Sequence, residues 1–421
     1  MAEAQIPHGY KQTEVGVIPE DWEVGSLSRF WTVTDCKHVT AQFVDNGFPI
    51  ASIKEVQSRF VGLMNAKQTT QQFYNLLIEG GRKPGVGDLI LSRNATVGEV
   101  AQVAEWHPAF AMGQDVCLLR KKSPEFSTDY LQAVFRSSII ANQLSDLMVG
   151  STFKRANVQQ IKNFTVPMPP PSEQKAISEA LSDGDVLIES LEQLIAKKRQ
   201  IKQGAMQELL TGKKRLPGFS GEWEVKRFGD IAQPRKERID PRRAGAQDFC
   251  VELEHIEQGT GCLAGYTAAR EGSSLKSVFQ KGDVLFGKLR AYLRKYWLAD
   301  RNGVCSTEIW VLVAKHSQLI PEFLFQLVKV DRFIEAASTA YGTHMPRSDW
   351  NVVKNYEVHL PSVEEQTAIA IILSDMDAEI AALEAKLAKA RQLKQGMMQE
   401  LLTGKTRLME NGKWRMENDL A

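Results

Sequence analysis

KQGAMQELLTGKKRL, at Lys202–Leu216, returns almost unchanged later in the chain as KQGMMQELLTGKTRL, at Lys394–Leu408. Extended towards the N-terminus without a gap, the match joins Glu173–Leu216 to Glu365–Leu408, and 28 of the 44 paired residues are identical. The repeat distance is far longer than that of solenoid proteins, whose units span about 20–45 residues. The 421-residue chain therefore reads as a tandem duplication of a whole domain together with the segment that follows it.

Weaker similarity continues before each copy of this constant block. Arg155 pairs with Arg347 in the same register, and GDLI at 87–90 pairs with GDVL at 282–285 once small gaps are allowed. Each copy thus consists of a lead-in segment, a variable block and a constant block. The predicted parts are a first domain at 1–168, a first constant helix at 169–216, a second domain at 217–360, a second constant helix at 361–410 and a tail at 411–421.

The constant blocks carry the apolar pattern of long helices. Ser172 is a candidate N-cap, and Ser362 with Glu365 has the spacing of a capping box. Gly212 and Gly404 close the blocks, as glycine commonly does after a helix, and about 38 residues give each helix a length of roughly 57 Å. Apolar residues alternate at spacings of four and three, as in a coiled-coil seam: Ile177, Leu181, Gly184, Ile188, Leu191 and Ile195, then Ile369, Leu373, Met376, Ile380, Leu383, Leu387 and Ala390.

The two seams are expected to pack on each other within one chain, as an antiparallel coiled coil with pseudo-two-fold symmetry. Packing of each helix on its own domain is the alternative, which the narrow and sustained seam disfavours. Gly184 stands where the second seam has Met376, and a local loosening of the helix pair is expected there. Gly204 and Gly396 occupy matching positions and cost about 1 kcal/mol each relative to alanine, so a kink or a close contact is expected.

The end of each constant block also predicts a protein partner. The stretch MQELL is half apolar and identical in the two copies. Copies that needed only to be soluble would have diverged more, so the repeated surface indicates two copies of one partner, with a solvated polar face as the alternative. The predicted partner-binding residues are Met206, Leu209, Leu210, Met398, Leu401 and Leu402.

The variable blocks are expected to be α+β domains of similar fold, each about 150 residues long. Short runs rich in β-branched residues alternate with Gly-Asp turns, which is typical of strands. Helical patterns cover 127–147 and 320–339. The two blocks share this skeleton while most of their surface residues differ, so one scaffold carries two different surfaces.

Positive charge in the second block is concentrated in GKLRAYLRKYW, at 287–297. Basic residues interleaved with aromatic residues suit contacts to phosphates and to bases or sugars; the alternative is a solvated strand edge with buried aromatics. The first block has the less basic SRNAT at 92–96, and the matched loops at 150–155 and 342–347 offer further donors. The predicted DNA-binding residues are Arg93, Lys154, Arg155, Lys288, Arg290, Tyr292, Arg294, Lys295 and Arg347.

The composition limits the remaining classes of function. Hydrophobic content of 43% and charged content of 24% are ordinary for a globular protein. The formal net charge of +1 means that any DNA-binding charge must be local. The sequence shows no apolar run of about 18 residues and no secretory signal, and its five cysteines lack paired spacing. These features predict a cytoplasmic protein with reduced thiols and no membrane contact.

Motifs of catalysis are missing from the sequence. TGKT at 403–406 resembles the end of a P-loop, but Gln399 stands in place of the first glycine and a helix precedes it, so nucleotide binding is rejected there. The histidines have no metal-ligand spacing, and no glycine-rich cofactor loop, nucleophile elbow or amino-methyltransferase motif occurs. The chain is therefore expected to be no enzyme and to hold no cofactor or metal of its own.

The order of these motifs resembles one known family, the specificity subunits of type I restriction-modification enzymes. The resemblance rests on GVIPEDWEV and GEWEV in the lead-in segments, GDLILSR and GDVLFGKLR in the variable blocks, PPPSEQKAI and LPSVEEQTAI at the helix starts, and the repeated KQGxMQELLTGKxRL. It covers nearly the whole chain, and the order, which occurs twice, is more specific than any single motif.

The resemblance implies that each variable block is a target recognition domain reading one half of a bipartite, asymmetric site on double-stranded DNA. The helices would set the gap and dock two methyltransferase subunits, which bind S-adenosylmethionine and methylate adenine; two restriction subunits with ATP and Mg²⁺ would complete the endonuclease. Two modules on a rigid spacer also suit half-sites about one helical turn apart, roughly 34–36 Å. The competing hypotheses are a coiled-coil scaffold that joins two protein-binding domains without DNA, and an enzyme with an unrecognised site.

Overall fold

The computed structural model describes residues 6–148, 155–270, 274–339 and 346–408, and the backbone of 414–415. Contacts within the chain divide it into two compact units. Unit 1 comprises Met1–Ser190 and Leu387–Ala421, and unit 2 comprises Leu191–Lys386. Unit 1 therefore combines the first variable block with sequence from the C-terminal part of the chain, whereas unit 2 is one continuous segment.

The first variable block, in unit 1, is built from short strands and helices. Its strands are β1 (Tyr10–Thr13), β2 (Gly16–Pro19), β3 (Glu23–Ser26), β4 (Trp31–Asp35), β5 (Phe43–Val44), β6 (Phe48–Ala51), β7 (Gln68–Thr69), β8 (Leu89–Ser92), β9 (Val100–Gln102), β10 (Ala111–Met112), β11 (Val116–Lys121) and β12 (Thr165–Met168). Its helices are α1 (Leu27–Phe30), α2 (Gln71–Ile78), α3 (Thr128–Phe135), α4 (Ser138–Met148) and α5 (Val158–Lys162). The first long helix, α6 (Pro171–Leu209), follows.

The second variable block, in unit 2, has a corresponding series of elements. Its strands are β13 (Glu224–Arg227), β14 (Ala232–Pro234), β15 (Arg238–Ile239), β16 (Gln247–Val251), β17 (Thr267–Ala269), β18 (Lys276–Phe279), β19 (Val284–Gly287), β20 (Tyr296–Leu298), β21 (Gly303–Ser306), β22 (Ile309–Ala314) and β23 (Glu357–Leu360). Its helices are α7 (Phe228–Ile231), α8 (Pro241–Ala244), α9 (Pro321–Leu327), α10 (Asp331–Ser338) and α11 (Trp350–Val353). The chain continues with the second long helix, α12 (Val363–Leu401), then β24 (Arg407–Leu408) and β25 (Trp414–Arg415).

The main sheets of the two units have the same strand order. An antiparallel sheet in unit 1 runs β4-β11-β8-β9, and its counterpart in unit 2 runs β14-β22-β19-β20. Each unit adds a second sheet, β10-β6-β7-β5 in unit 1 and β15-β18-β21-β16-β17 in unit 2. The predicted α+β class and the shared scaffold of the two blocks are confirmed.

Two predicted local features differ from the structure. The helical patterns at 127–147 and 320–339 are each divided into two helices, α3 with α4 and α9 with α10. The prediction of Ser172 as N-cap is wrong, because α6 already begins at Pro171 and proline is favoured at the first helical position. Ser362 does cap α12, since its Oγ accepts a hydrogen bond from the Glu365 backbone N–H at 3.3 Å.

The long helices are 39 residues each, and each contributes one half to each unit. Every seam residue predicted from the 4–3 spacing is buried or half-buried. In unit 2 the helix halves are antiparallel, because Lys202 pairs with Asp377 while Arg199 pairs with Glu384. Unit 1 repeats the first of these pairs as Lys394 with Asp185. The helices end where Gly212 and Gly404 adopt positive φ angles of 71° and 67°.

The apolar cores join the long helices to the sheets within each unit. In unit 1, Leu401 at the end of α12 and Leu402, which follows it, pack in one cluster with Trp22, Trp31 and Tyr130. In unit 2, Leu209 at the end of α6 and Leu210, which follows it, belong to the corresponding cluster, together with Ile369 and Leu373 of α12 and residues of the second block such as Phe228, Phe286 and Phe333. Each variable block therefore shares its core with the end of one long helix and the beginning of the other.

A buried carboxylate clasps the lead-in segment of each unit to the long helices. Glu365 accepts hydrogen bonds from Arg215 Nε and Nη2, both at 2.7 Å, and from Trp223 Nε1 at 3.1 Å. Its side chain is 1% exposed.

The clasp of unit 1 has the same residue types at the matching positions. Glu173 accepts from Arg407 Nη2 at 2.6 Å and from Trp22 Nε1 at 3.0 Å. Arg407 also binds Asp21. The clasps explain why the Trp-Glu-Val and Lys-x-Arg-Leu motifs occur once per copy.

Candidate nucleic-acid interface

The basic loop of unit 2 lies between β19 and β20 and is held by the segment that precedes α11. The backbone N–H of Arg290 donates to Pro346 O at 2.9 Å, and that of Ser348 donates to Lys288 O at 2.8 Å. Leu289 and Arg347 form an isolated antiparallel bridge. The structure therefore brings Lys288, Arg290 and Arg347, three of the predicted DNA-binding residues, to one place.

The turn at the tip of this loop is strained. Arg290 and Arg294 have positive φ angles of 54° and 52°, and they flank a short 3₁₀ turn at Ala291–Leu293. Left-handed backbone is uncommon for residues other than glycine, and such residues are concentrated at functional sites. The first block has a left-handed residue in its matching loop, Ala95 with φ of 58°.

The turn separates the predicted residues into an outer and an inner set. Arg290 and Tyr292 are exposed, and Tyr292 retains 52% of its accessible surface. Lys288 is half-buried. Arg294 is half-buried and pairs with Asp331 at 2.5 Å, and Lys295 Nζ donates to Leu253 O at 2.6 Å. The structure accounts for Arg294 and Lys295 by contacts within unit 2.

Arg347 and its counterpart Arg155 form matched exposed ion pairs. Arg347 Nε lies 2.9 Å from Glu308, and Arg155 Nη2 lies 3.1 Å from Asp115. The side chains of the two arginines are 54% and 53% exposed. Exposed ion pairs of this kind contribute little to stability, roughly 0–1 kcal/mol, so either arginine can exchange its carboxylate for another anion at small cost.

The remaining predicted residues of unit 1 are placed differently. The Arg93 side chain is 4% exposed and pairs with Asp35 at 2.7 Å, so it is buried under the loop rather than presented on it. Lys154 lies outside the described residues. Asn94, which was not predicted as a DNA-binding residue, forms an isolated antiparallel β-bridge with Arg155 through the backbone. Its side-chain Nδ2 donates a hydrogen bond to Asp115 at 3.4 Å. Among the described residues, unit 1 therefore has fewer exposed basic side chains at this position than unit 2 has.

The predicted partner-binding residues lie mostly inside the protein. Leu209, Leu210, Leu401 and Leu402 are 6%, 4%, 0% and 0% exposed and belong to the cores of their units. Met206 and Met398 are half-buried against the same clusters. The packing of these six side chains is explained within the chain, and a docking surface on the helices has to use their exposed neighbours.

A buried lysine in unit 2 was not found by sequence reasoning. Lys329, between α9 and α10, has a side chain that is 1% exposed and pairs with Asp377 at 2.7 Å. Its Nζ lies 4.5 Å from the centroid of the Phe325 ring. Burial lowers the pKa of Lys329 to about 8, although Asp377 acts in the opposite direction. A lysine inside an apolar run, FLFQLVKV, was the available signal.

We expect Lys329→Met to alter how the stability of unit 2 depends on pH. Because the folded-state pKa is about 8 and the ordinary value is 10.5, the unfolded state binds more protons between these values. The wild-type chain therefore gains stability from this group as pH rises, by about 2 kcal/mol between pH 7.5 and 9.5. The variant lacks this gain, which urea unfolding at the two pH values measures.

The pH experiment compares the free energy of unfolding of the wild-type chain with that of Lys329→Met at each pH. Burial raises the pKa of the Cys250 and Cys305 thiols, so these groups lower the stability of both chains as pH rises. Lys281→Met, at an exposed lysine of the same unit, is the control and should follow the wild type. A constant difference between wild type and Lys329→Met across this pH range would contradict the assignment.

One cluster of possible metal ligands occurs among the described residues. Asp35, Cys36 and His38 place ligand atoms within 4.8 Å of one another. However, Asp35 is paired with the Arg93 guanidinium, and burial raises the pKa of the Cys36 thiol. A cation beside the carboxylate and a protonated thiol both oppose metal binding, so these residues do not fit a metal site.

Comparison with known proteins identifies the family. A family model described as "Type I restriction modification DNA specificity domain" matches twice, at residues 19–201 and 220–392. The two matches together cover most of the chain, and their positions follow the internal repeat. The chain belongs to this family. Members are non-catalytic specificity subunits, which act with methyltransferase subunits, restriction subunits and DNA.

Relatives of this specificity subunit match over much of its length. It is 25% identical over 328 residues to the type I restriction enzyme EcoDI specificity subunit of Escherichia coli, covering 69% of this chain and 72% of the relative. It is 21% identical over 421 residues to the type I restriction enzyme MjaVIII specificity subunit of Methanocaldococcus jannaschii. This match covers 93% of this chain and 94% of the relative.

Solved structures share the fold of the specificity subunit. The type I restriction-modification system S subunit from M. genitalium aligns with a TM-score of 0.57 at 12% identity, over 94% of this chain and 98% of that chain. A chain from a study of complex assembly and conformational transition of the type I system aligns with a TM-score of 0.55 at 16% identity, over 92% of this chain and 99% of that chain. In the described part of this subunit, no helix is both long and apolar enough to cross a bilayer.

Proposed function

We propose that each unit of this specificity subunit reads one half of a bipartite, asymmetric site on double-stranded DNA. The observation that carries the proposal is the repetition of one scaffold with different exposed loops. Unit 2 presents the exposed residues Arg290, Tyr292 and Arg347, whereas unit 1 has exposed Arg155 and half-buried Asn94 at the matching place. Two units that share a fold but differ in their exposed residues suit two half-sites of different sequence.

The chemistry of the unit 2 loop supports contact with a duplex. Arg290 is exposed and has no ion pair with a described residue, so its guanidinium is available to a phosphate or to the major-groove edge of guanine. Arg347 keeps its Glu308 partner at the surface, where exchange for a phosphate costs little. In this proposal phosphate contacts supply affinity and base contacts supply specificity.

The long helices would fix the gap between the half-sites and dock two adenine methyltransferase subunits. At 39 residues each and about 1.5 Å per residue, they are long and continuous enough for a spacer. Methylation requires the adenine to leave the base stack, and a firm hold on the flanking DNA supports that step. S-adenosylmethionine, ATP and Mg²⁺ would bind to the methyltransferase and restriction subunits of a cytoplasmic complex.

Exchange of residues 217–360 for the same block of another family member tests the proposal. The hybrid, co-expressed with the methyltransferase subunit of its own system, is expected to change one half of the methylated motif and to leave the other half unchanged. Single-molecule sequencing of host DNA, which maps modified adenines, measures both halves together. The wild-type chain and a culture without the chain are the controls.

Two outcomes would overturn the proposal. A change in both halves of the motif would contradict the assignment of one half-site to each unit. An assembled wild-type complex that methylates no motif would favour the scaffold hypothesis, in which the two units bind proteins and not DNA.

A further inference from the structure

Gly204 and Gly396 have no explanation within the chain. Both lie inside the continuous helices α6 and α12, where glycine costs about 1 kcal/mol relative to alanine. A Cβ atom at either position would meet no described atom within 4 Å. Gly184 differs, because a Cβ there would lie 3.5 Å from Cγ of Lys394. That distance is an ordinary van der Waals contact, so packing does not require glycine at 184, and at the two matched glycines no described atom would be met at all.

Each of the two glycines lies at the centre of a helix face that the two copies share. Residues within about 60° of the glycine direction at 100° per residue form this surface, which we name the glycine face. It consists of Lys197, Gln200, Ile201, Gly204, Gln207, Glu208 and Thr211 in unit 2, and of Lys389, Gln392, Leu393, Gly396, Gln399, Glu400 and Thr403 in unit 1. Ile201 and Leu393 are apolar yet 48% and 58% exposed.

Exposed residues of the two long helices are largely identical between the copies only from residue 196 of α6, and from its counterpart in α12, onwards. Of the helix positions that are exposed in both copies, seven of the eight from residue 196 to 208 are identical in sequence to their counterparts. Before residue 196, one of eleven such positions is identical. Buried residues are constrained by the cores, but exposed residues of a solvated face are not. Arg199 and Gln203 are among the seven and contact Glu384 and Asp331 within unit 2. The four others on the glycine face are Lys197, Gln200, Gln207 and Glu208, and their agreement indicates a contact outside the chain.

The composition of the glycine face selects a protein partner over DNA. Each copy has one lysine and one glutamate, so the face carries no net charge and lacks the clustered cations that phosphate binding requires. Exposed Ile201 or Leu393, beside two glutamine side chains, suits an apolar contact with hydrogen bonds around it. The segment from Gln200 to Glu208 spans about 12 Å, which is the footprint of one crossing helix.

We infer that a helix of the methyltransferase subunit crosses each glycine face, with its closest approach at Gly204 in unit 2 and at Gly396 in unit 1. The inference rests on the proposed docking function and adds the contact point. Helix axes approach more closely where side chains at the contact are small, so glycine admits the partner where a side chain would hold it away. Two faces of one composition then accept two copies of one partner.

Insertion of a side chain at each glycine tests the inference. Gly204→Gln and Gly396→Gln are combined with the methyltransferase subunit of the same system, and the stoichiometry is measured by native mass spectrometry. Each single variant is expected to weaken one docking site by about 30-fold or more and to retain one methyltransferase subunit. The double variant is expected to retain none. Ala382→Gln is the matched control at an exposed helix position whose counterpart is Ser190.

The outcomes separate this inference from the proposed function. A wild-type chain that binds no methyltransferase subunit would overturn the proposed docking itself. A wild-type chain that binds two, with glycine variants that also bind two, would overturn the contact point alone. Thermal unfolding of each isolated chain provides the second readout: both variants are expected to match or exceed the wild-type Tm, and a lowered Tm would show that the glycines serve packing within the chain.

Discussion

Glu365→Ala is expected to destabilise unit 2 by about 2–3 kcal/mol, because it removes the acceptor at the centre of a buried clasp. Arg215 and Trp223 both donate to this carboxylate, whose side chain is 1% exposed. Loss of one partner of a buried ion pair costs about 3–5 kcal/mol. Arg215 retains 27% exposure and can recover some hydration, which places the expected value below that range.

Urea unfolding gives the size of this effect, and amide hydrogen exchange gives its location. Exchange is expected to accelerate in unit 2 and to remain unchanged in unit 1. The control is Glu222→Ala, at the exposed residue that precedes Trp223, which should change the free energy of unfolding by less than about 0.5 kcal/mol. Glu173→Ala should give the converse result and accelerate exchange in unit 1 only. Uniform acceleration in both units would contradict the description of two separate clasps.

Arg290→Glu is expected to weaken binding of duplex DNA that carries the recognised site by about 10- to 100-fold at roughly 0.1 M salt. The change removes one cation and places an anion against the phosphates, where like charges repel. Arg290→Ala and Lys288→Ala should have smaller effects, and each lost phosphate contact should reduce the slope of log K against log salt by about 0.9. Fluorescence anisotropy over a salt series measures both quantities.

Lys214→Glu provides the matched control for charge reversal. Lys214 is an exposed lysine of unit 2 beyond the end of α6, where it lies 3.8 Å from Glu208. This variant changes the net charge of the unit by the same amount as Arg290→Glu and should leave the salt slope unchanged. Equal effects of the two reversals would mean that the loop has no special contact with DNA. Unchanged slopes for both alanine variants would have the same meaning.

The long helices and their seams could be predicted because the signal is local and repeated. A 4–3 alternation over many residues specifies one buried stripe, and the structure buries or half-buries every predicted member. Periodicity cannot tell which surface covers an apolar residue. For this reason Leu209 and Leu402, which looked available to a partner, proved to be core residues.

The clasps and the loop orientation could not be read from the sequence. Glu173 and Arg407 are 234 residues apart, and no pattern along the chain relates them. In the loop of unit 2, Arg290 and Arg294 look equivalent in GKLRAYLRKYW and both have left-handed backbone, yet Arg290 is exposed while Arg294 is half-buried and pairs with Asp331. A run of basic residues indicates that charge is concentrated, whereas the backbone decides which side chains can meet a ligand.

The discontinuity of unit 1 has a consequence for biosynthesis. A ribosome makes the chain from the N-terminus, so unit 2, which is contiguous from Leu191 to Lys386, has all of its residues before translation reaches the segment that completes unit 1. Until Leu401, Leu402 and Arg407 emerge, the nascent first block lacks part of its core and one partner of Glu173. The part of the protein that is translated first is thus the last to have all of its core residues available.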